Sequence, residues 1–85
     1  MRLYRTVFNR QAVKFLADAG DEEFTEIERW VDRIERAPST LGDYTEWDED
    51  HREIQVMVLH HVAMAYWPDH ATQEVRVARI VSLKA

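Results

Sequence analysis

The hydrophobic period of this chain changes once, and the change falls across a segment that cannot continue a helix. Between Arg10 and Arg36 the apolar residues recur at three- and four-residue spacing. From Ile54 onward they alternate with a period of two, and Pro38, Gly42 and a run of acidic residues lie in between. A chain of 85 residues has room for one hydrophobic core. The helical and extended parts are therefore expected to share it, as one α+β domain spanning residues 1–85.

The segment Leu3-Tyr4-Arg5-Thr6-Val7-Phe8 is β-branched and aromatic enough to read as a strand. Asn9 then reads as the N-cap of a short helix carrying Ala12, Val13, Phe15, Leu16 and Ala19, with Gly20 as the left-handed residue that ends it. Asp21 can cap a second helix whose first turn holds Glu22 and Glu23, where negative charge suits the helix dipole. Its stripe is Phe24, Ile27, Trp30, Val31 and Ile34; Asp32 and Arg36 form an i,i+4 pair, and Pro38 forbids continuation. Residues 38–53 read as a loop anchored by Leu41, Tyr44 and Trp47. Three strands follow, at 54–59, 62–67 and 74–82, with a tight connection at His60-His61 and a turn at Pro68-Asp69-His70. The expected architecture is a strand, a helical hairpin and a three-stranded antiparallel meander packed together.

Charge narrows the partners. The formal net charge is −5, which opposes the clustered Lys and Arg that nucleic-acid phosphates demand. The acidity is local, however. Residues 41–53 carry Asp43, Glu46, Asp48, Glu49, Asp50 and Glu53 against the single Arg52, while the segments on either side are close to neutral. No apolar run approaches the ~20 residues needed to cross a bilayer, and the N-terminus lacks the apolar stretch of a secretory signal. The chain is therefore expected to be cytoplasmic, with no membrane partner. The absence of cysteine removes disulfides, thiol nucleophiles and thiolate metal sites.

Three local features carry a family resemblance: the strand-to-helix segment Val7-Phe8-Asn9-Arg10-Gln11-Ala12, the strand Ala63-Met64-Ala65-Tyr66, and the last strand Val75-Arg76-Val77-Ala78-Arg79-Ile80-Val81. With the order of elements, they make the chain resemble the RelE/ParE superfamily of toxin–antitoxin toxins, often labelled plasmid stabilisation proteins, over nearly its whole length. The resemblance implies a type II toxin held by a small antitoxin whose extended or helical tail wraps it. It also implies one of two targets, messenger RNA on the ribosome or DNA gyrase, and it leaves room for a homodimer. Ribonuclease members use Lys and Arg on the central strands to hold phosphate and stabilise the transition state. This chain departs from that pattern. Glu53 to Leu59 contains no Lys or Arg, Ala63 stands where many members carry Arg, and the chain ends in Ser82-Leu83-Lys84-Ala85.

The remaining cations define the candidate chemistry. A variant ribonuclease set would be His61, Arg79 and Lys84, with His61 as a general acid or base near neutral pH. Arg76 and Arg79 are three residues apart, so on a regular strand they face opposite sides and need a bulge to share one site. Tyr44, Trp47, Trp67 and Arg76 are the candidate partner-binding residues, since aromatic and arginine anchors dominate protein interfaces. Trp30 and Tyr66 read as core residues. The acidic segment lacks the alternating ligands, glycine and distal Glu of a calcium loop, so no metal and no cofactor is expected. Scarcity of sheet cations favours a toxin-like protein that binds a protein target. A messenger-RNA endoribonuclease of RelE type and a non-toxic interaction domain are the alternatives.

Overall fold

The computed structural model describes residues 2–83. Two helices lie against one five-stranded mixed sheet, with elements β1 (Arg5–Phe8), α1 (Arg10–Asp18), α2 (Asp21–Arg36), β2 (Tyr44–Trp47), β3 (Glu53–Val58), β4 (Val62–Asp69) and β5 (Glu74–Ser82). The sheet order is β1-β5-β4-β3-β2. Strands β2 to β5 form an antiparallel meander, and β1 joins it in parallel against β5. The α+β class and the helical hairpin match the sequence reading; the sheet has one strand more.

That additional strand is β2, in the segment read as a loop. Tyr44-Thr45-Glu46-Trp47 is short, acidic and flanked by glycine and aspartate, so its two-residue period is too brief to register as a pattern. Tertiary pairing forms it: Tyr44 lies opposite Val56 and Trp47 opposite Glu53. Gly42 makes the approach possible. A Cβ at that position would lie 2.5–2.8 Å from the main chain of Val56, and the Gly42 N–H donates to Gln55 Oε1 at 2.9 Å. The hairpin beyond β2 is organised by Asp48, whose Oδ1 accepts from the N–H groups of Asp50 and Arg52 at 2.9 and 2.8 Å. His51 occupies the left-handed region there, at φ 59°.

Three boundaries differ in kind. Gly20 is not left-handed; with φ −72° it is the N-cap of α2, and Ala19 closes α1. The Glu23 carboxylate reaches back to accept from the Gly20 N–H at 3.0 Å, as in a capping box. Asp21 is thus the first helical residue instead of the cap. Pro68 lies within β4, paired with Val75. It is tolerated because the pairing of β4 with β3 ends at Tyr66, so this stretch has a neighbour on one side only. The turn comes later, with Asp69 Oδ1 accepting from Ala71 and Thr72 and with Gln73 at φ 56°.

The main core lies between the helices and the sheet. Ala12, Ile27, Trp30 and Ile34 meet Val62, Met64, Tyr66, Val75, Val77 and Ile80. Trp30 and Tyr66 are fully buried and pack edge to face at 4.9 Å, as expected. The Tyr66 hydroxyl donates to the Thr40 carbonyl at 3.0 Å, and burial followed by the charge of Asp43 pushes its pKa up to about 12. The helices pack over β1, β4 and β5, so the opposite sheet face is left open.

Candidate functional site

The open face is floored by a second, smaller apolar cluster of Ile54, Val56 and Ala65, against which Trp67 and Ala78 pack. A β-bulge decides what stands on that floor. Ala65 pairs with Arg79 but Tyr66 pairs with Val77, so Ala78 is an extra residue in β5. The phase of β5 therefore shifts by one, and Arg76 and Arg79 share the open face in place of opposite faces.

The bulge is held by α1. β1 pairs with β5 only as far as Phe8 and Val77; beyond that, side chains take over the ladder. Asn9 Nδ2 donates to the Ala78 carbonyl at 2.6 Å while Asn9 Oδ1 accepts from the Ala12 N–H at 3.0 Å, so one side chain caps the helix and pins the bulge. Gln11 brackets Ile80, donating to its carbonyl at 2.8 Å and accepting from its N–H at 2.9 Å. Asn9 was legible as a cap from sequence; its second role, and that of Gln11, depends on a strand nearly seventy residues away.

Three arginines stand on or beside the open face, and each meets carboxylate. The Arg52 guanidinium lies 3.9 Å from the centre of the Trp67 ring and 3.6 Å from Asp48. Arg76 lies 5.9 Å from the same ring and donates to Asp69 and Glu74, both at 3.0 Å. Arg79 Nη2 bridges both oxygens of Glu46, at 3.1 and 3.0 Å. The hydrogen bond from Arg76 holds the Asp69 carboxyl below the usual carboxylate range, and that from Arg5 does the same for Glu74. A recess of about 460 Å³ lies between Arg52, Trp67, Arg76, Asn9 and Ala78. Trp67 therefore stands at the centre of a cation–π cluster with Arg52 and Arg76. Arg52, overlooked in the sequence because it sits among acids, is part of it.

His61 faces elsewhere. Its ring contacts two carboxylates of α2, Glu26 through Nδ1 and Glu22 through Nε2 at 3.1 Å, and its N–H donates to Glu26 Oε1 at 2.9 Å. Burial works against the Glu26 carboxylate, but the hydrogen bonds from His61 and the charge of the adjacent imidazoles outweigh it and lower its pKa. His61 thus ties the β3–β4 connection to the first turns of α2. Arg79 lies opposite Ala65, four residues along β4 from His61 and roughly 13 Å away along the strand. The two are not brought together. Lys84, the third member of that set, lies outside the described residues. Among the described residues no group of three His, Asp or Glu side chains is arranged to hold a metal ion.

Tyr44 and Trp47 lie on β2 and are 52% and 67% exposed, with Leu41 beside them at 73%. No helix among the described residues is long and apolar enough to cross a membrane.

The fold is an α+β one in which two helices cover one face of a five-stranded mixed sheet and leave the other open. Among solved structures the chain is similar to a chain of the toxin–antitoxin complex RelBE2 of Mycobacterium tuberculosis, with a TM-score of 0.75 and 15% identity over 93% of this chain and 96% of that one. At that identity the likeness is one of fold. No protein-family model and no curated protein matches the sequence.

Proposed function

We propose that this chain is a toxin-like component of a type II toxin–antitoxin pair, neutralised by a small antitoxin and acting in the cytoplasm by binding a protein. Its fold is that of a chain from such a complex. The observation that carries the mechanistic part is the state of the sheet cations: Arg52, Arg76 and Arg79 are each paired with carboxylates of the protein itself. Phosphate would have to displace those partners within a chain of net charge −5, which weakens binding of a polyanion. Arg-flanked Trp67, with Tyr44 and Trp47, supplies the aromatic and arginine anchors that protein interfaces favour.

Inducing the chain alone in cells tests this reading, with growth, messenger-RNA integrity and plasmid supercoiling followed together. Arrested growth with intact messenger RNA is expected, and altered supercoiling would name gyrase as the protein bound. Unimpaired growth would reduce the chain to a non-toxic interaction domain. Cleaved messenger RNA would overturn the protein-binding mechanism; loss of that cleavage in Arg79→Ala would assign Arg79 to an RNA site.

A further inference from the structure

The outer edge of β2 is a strand with one neighbour. It ends the sheet at the side away from β1, and the helices pack on β1, β4 and β5. The phase of its ladder follows from one bond: the Asp48 N–H donates to the Arg52 carbonyl at 3.0 Å. Hydrogen-bonded positions alternate in an antiparallel pair, so Tyr44 and Glu46 also face inward to β3. Thr45 and Trp47 turn their N–H and C=O groups outward.

We infer that this edge docks an extended, basic segment of a partner protein by strand addition, with Thr45 and Trp47 supplying the main-chain hydrogen bonds. Strand addition takes affinity from the ladder and specificity from side-chain contacts; Tyr44 and Trp47, three apart on β2, offer one large exposed ring on each face of an added strand. Trp47, Tyr44 and Leu41 are the exposed large apolar side chains along this edge. The charge selects the occupant. Residues 41–53 hold six acidic side chains and one basic, so Lys or Arg on the incoming strand is complementary. A second copy would set two acidic edges against each other, and a nucleic-acid strand would be repelled. The inference rests on the protein-binding reading for the class of partner, but the edge geometry is independent of toxicity.

The test uses the full chain, labelled for NMR, with two synthetic eight-residue probes: one alternating Lys and Val, the other Glu and Val. Slower amide exchange at Thr45 and Trp47 with the Lys peptide is expected. Affinity should be at least tenfold weaker for the Glu peptide, in high salt, for a Lys peptide N-methylated on alternate amides, and for Thr45→Pro. If Thr45→Pro fails to fold, the N-methylated peptide on the wild-type chain makes the same test. Undetectable binding, equal binding of the Glu peptide, binding that survives N-methylation, or protection confined to the separate recess that Arg29, Trp30, Arg33 and Leu59 line beside α2 would each overturn the inference. So would self-association through the edge, read by sedimentation. Growth arrest measured separately keeps failure here distinct from failure of the toxin reading.

Discussion

The two outer strands of the sheet are treated in opposite ways. On β1 the outward N–H of Thr6 is taken at 2.7 Å by the carboxylate of Glu35, a buried residue at the end of α2. The carbonyl of the same residue accepts from the N–H groups of Leu3 and Tyr4 at 2.8 and 3.0 Å. Arg2 in turn pairs with the Glu35 carboxylate at 3.2 Å. On β2 neither of the described helices packs along the edge, and acidic side chains surround it. Exposed edges invite pairing with other chains, and natural proteins suppress it by covering the edge or charging it. One edge here is covered and the other charged, and charge excludes only partners of like sign. Covering closes an edge to every strand; negative charge leaves it open to a basic one.

Gly42 is the most sensitive position of the open edge, because β2 exists only while the chain can pass against Val56. Gly42→Ala places a methyl within 2.5–2.8 Å of the β3 main chain, where nothing flexible can yield. Overpacking of this kind costs roughly 2–3 kcal/mol. Denaturant unfolding should show it as a lowered midpoint, and exchange should quicken first at the amides of Tyr44 and Glu46. An unchanged midpoint would mean that β2 does not depend on this close approach.

The covered edge should give way next. Glu35→Ala leaves the part-buried Thr6 N–H without its charged acceptor, a loss of about 2 kcal/mol. Thr6→Pro removes the same bond from the other side and should cost a similar amount. Glu35→Gln keeps an acceptor oxygen and should recover most of the loss. If Glu35→Ala unfolds at the wild-type denaturant concentration, the cover is incidental.

Acid should act on the ties around the sheet. Glu26, Asp69 and Glu74 have pKa values lowered in the folded chain. Each therefore contributes stability that is present above the ordinary carboxylate range and is lost as pH falls through the lowered value. Thermal midpoints should hold steady near neutrality and drop below about pH 4. Glu26→Gln should flatten part of that drop by removing the tie between α2 and His61. A slope identical to that of the wild type would place the acid sensitivity elsewhere.

Much of this frame was legible in the residues themselves. Helical spacing gave α1 and α2 nearly to their ends, and period-two alternation gave β3, β4 and β5. The reason is that long amphipathic segments record in their own pattern which side faces the core. What was not legible has a common cause. β2 is four residues whose strand character comes from β3, and the bulge at Ala78 is held by Asn9 and Gln11 from the opposite end of the chain. The shared face of Arg76 and Arg79, and the stacking of Arg52 on Trp67, follow from those non-local bonds. Sequence spacing alone placed the two arginines apart. It also gave no reason to separate His61 from Arg79, a separation that follows from the hairpin registers.

Proline distinguishes the two edges most directly. Thr6 and Thr45 are both threonines with outward N–H groups on outer strands, one satisfied by Glu35 and the other facing outward from the sheet. Proline is tolerated on an edge strand where its missing N–H points to solvent. Thr45→Pro should therefore cost about 0.5 kcal/mol or less, as ordinary surface substitutions do, against the about 2 kcal/mol expected for Thr6→Pro. The same chemical change thus reads out whether an edge is occupied. If both variants lose the same stability, the Thr45 N–H already has a partner within the chain, and the β2 edge is closed to an incoming strand.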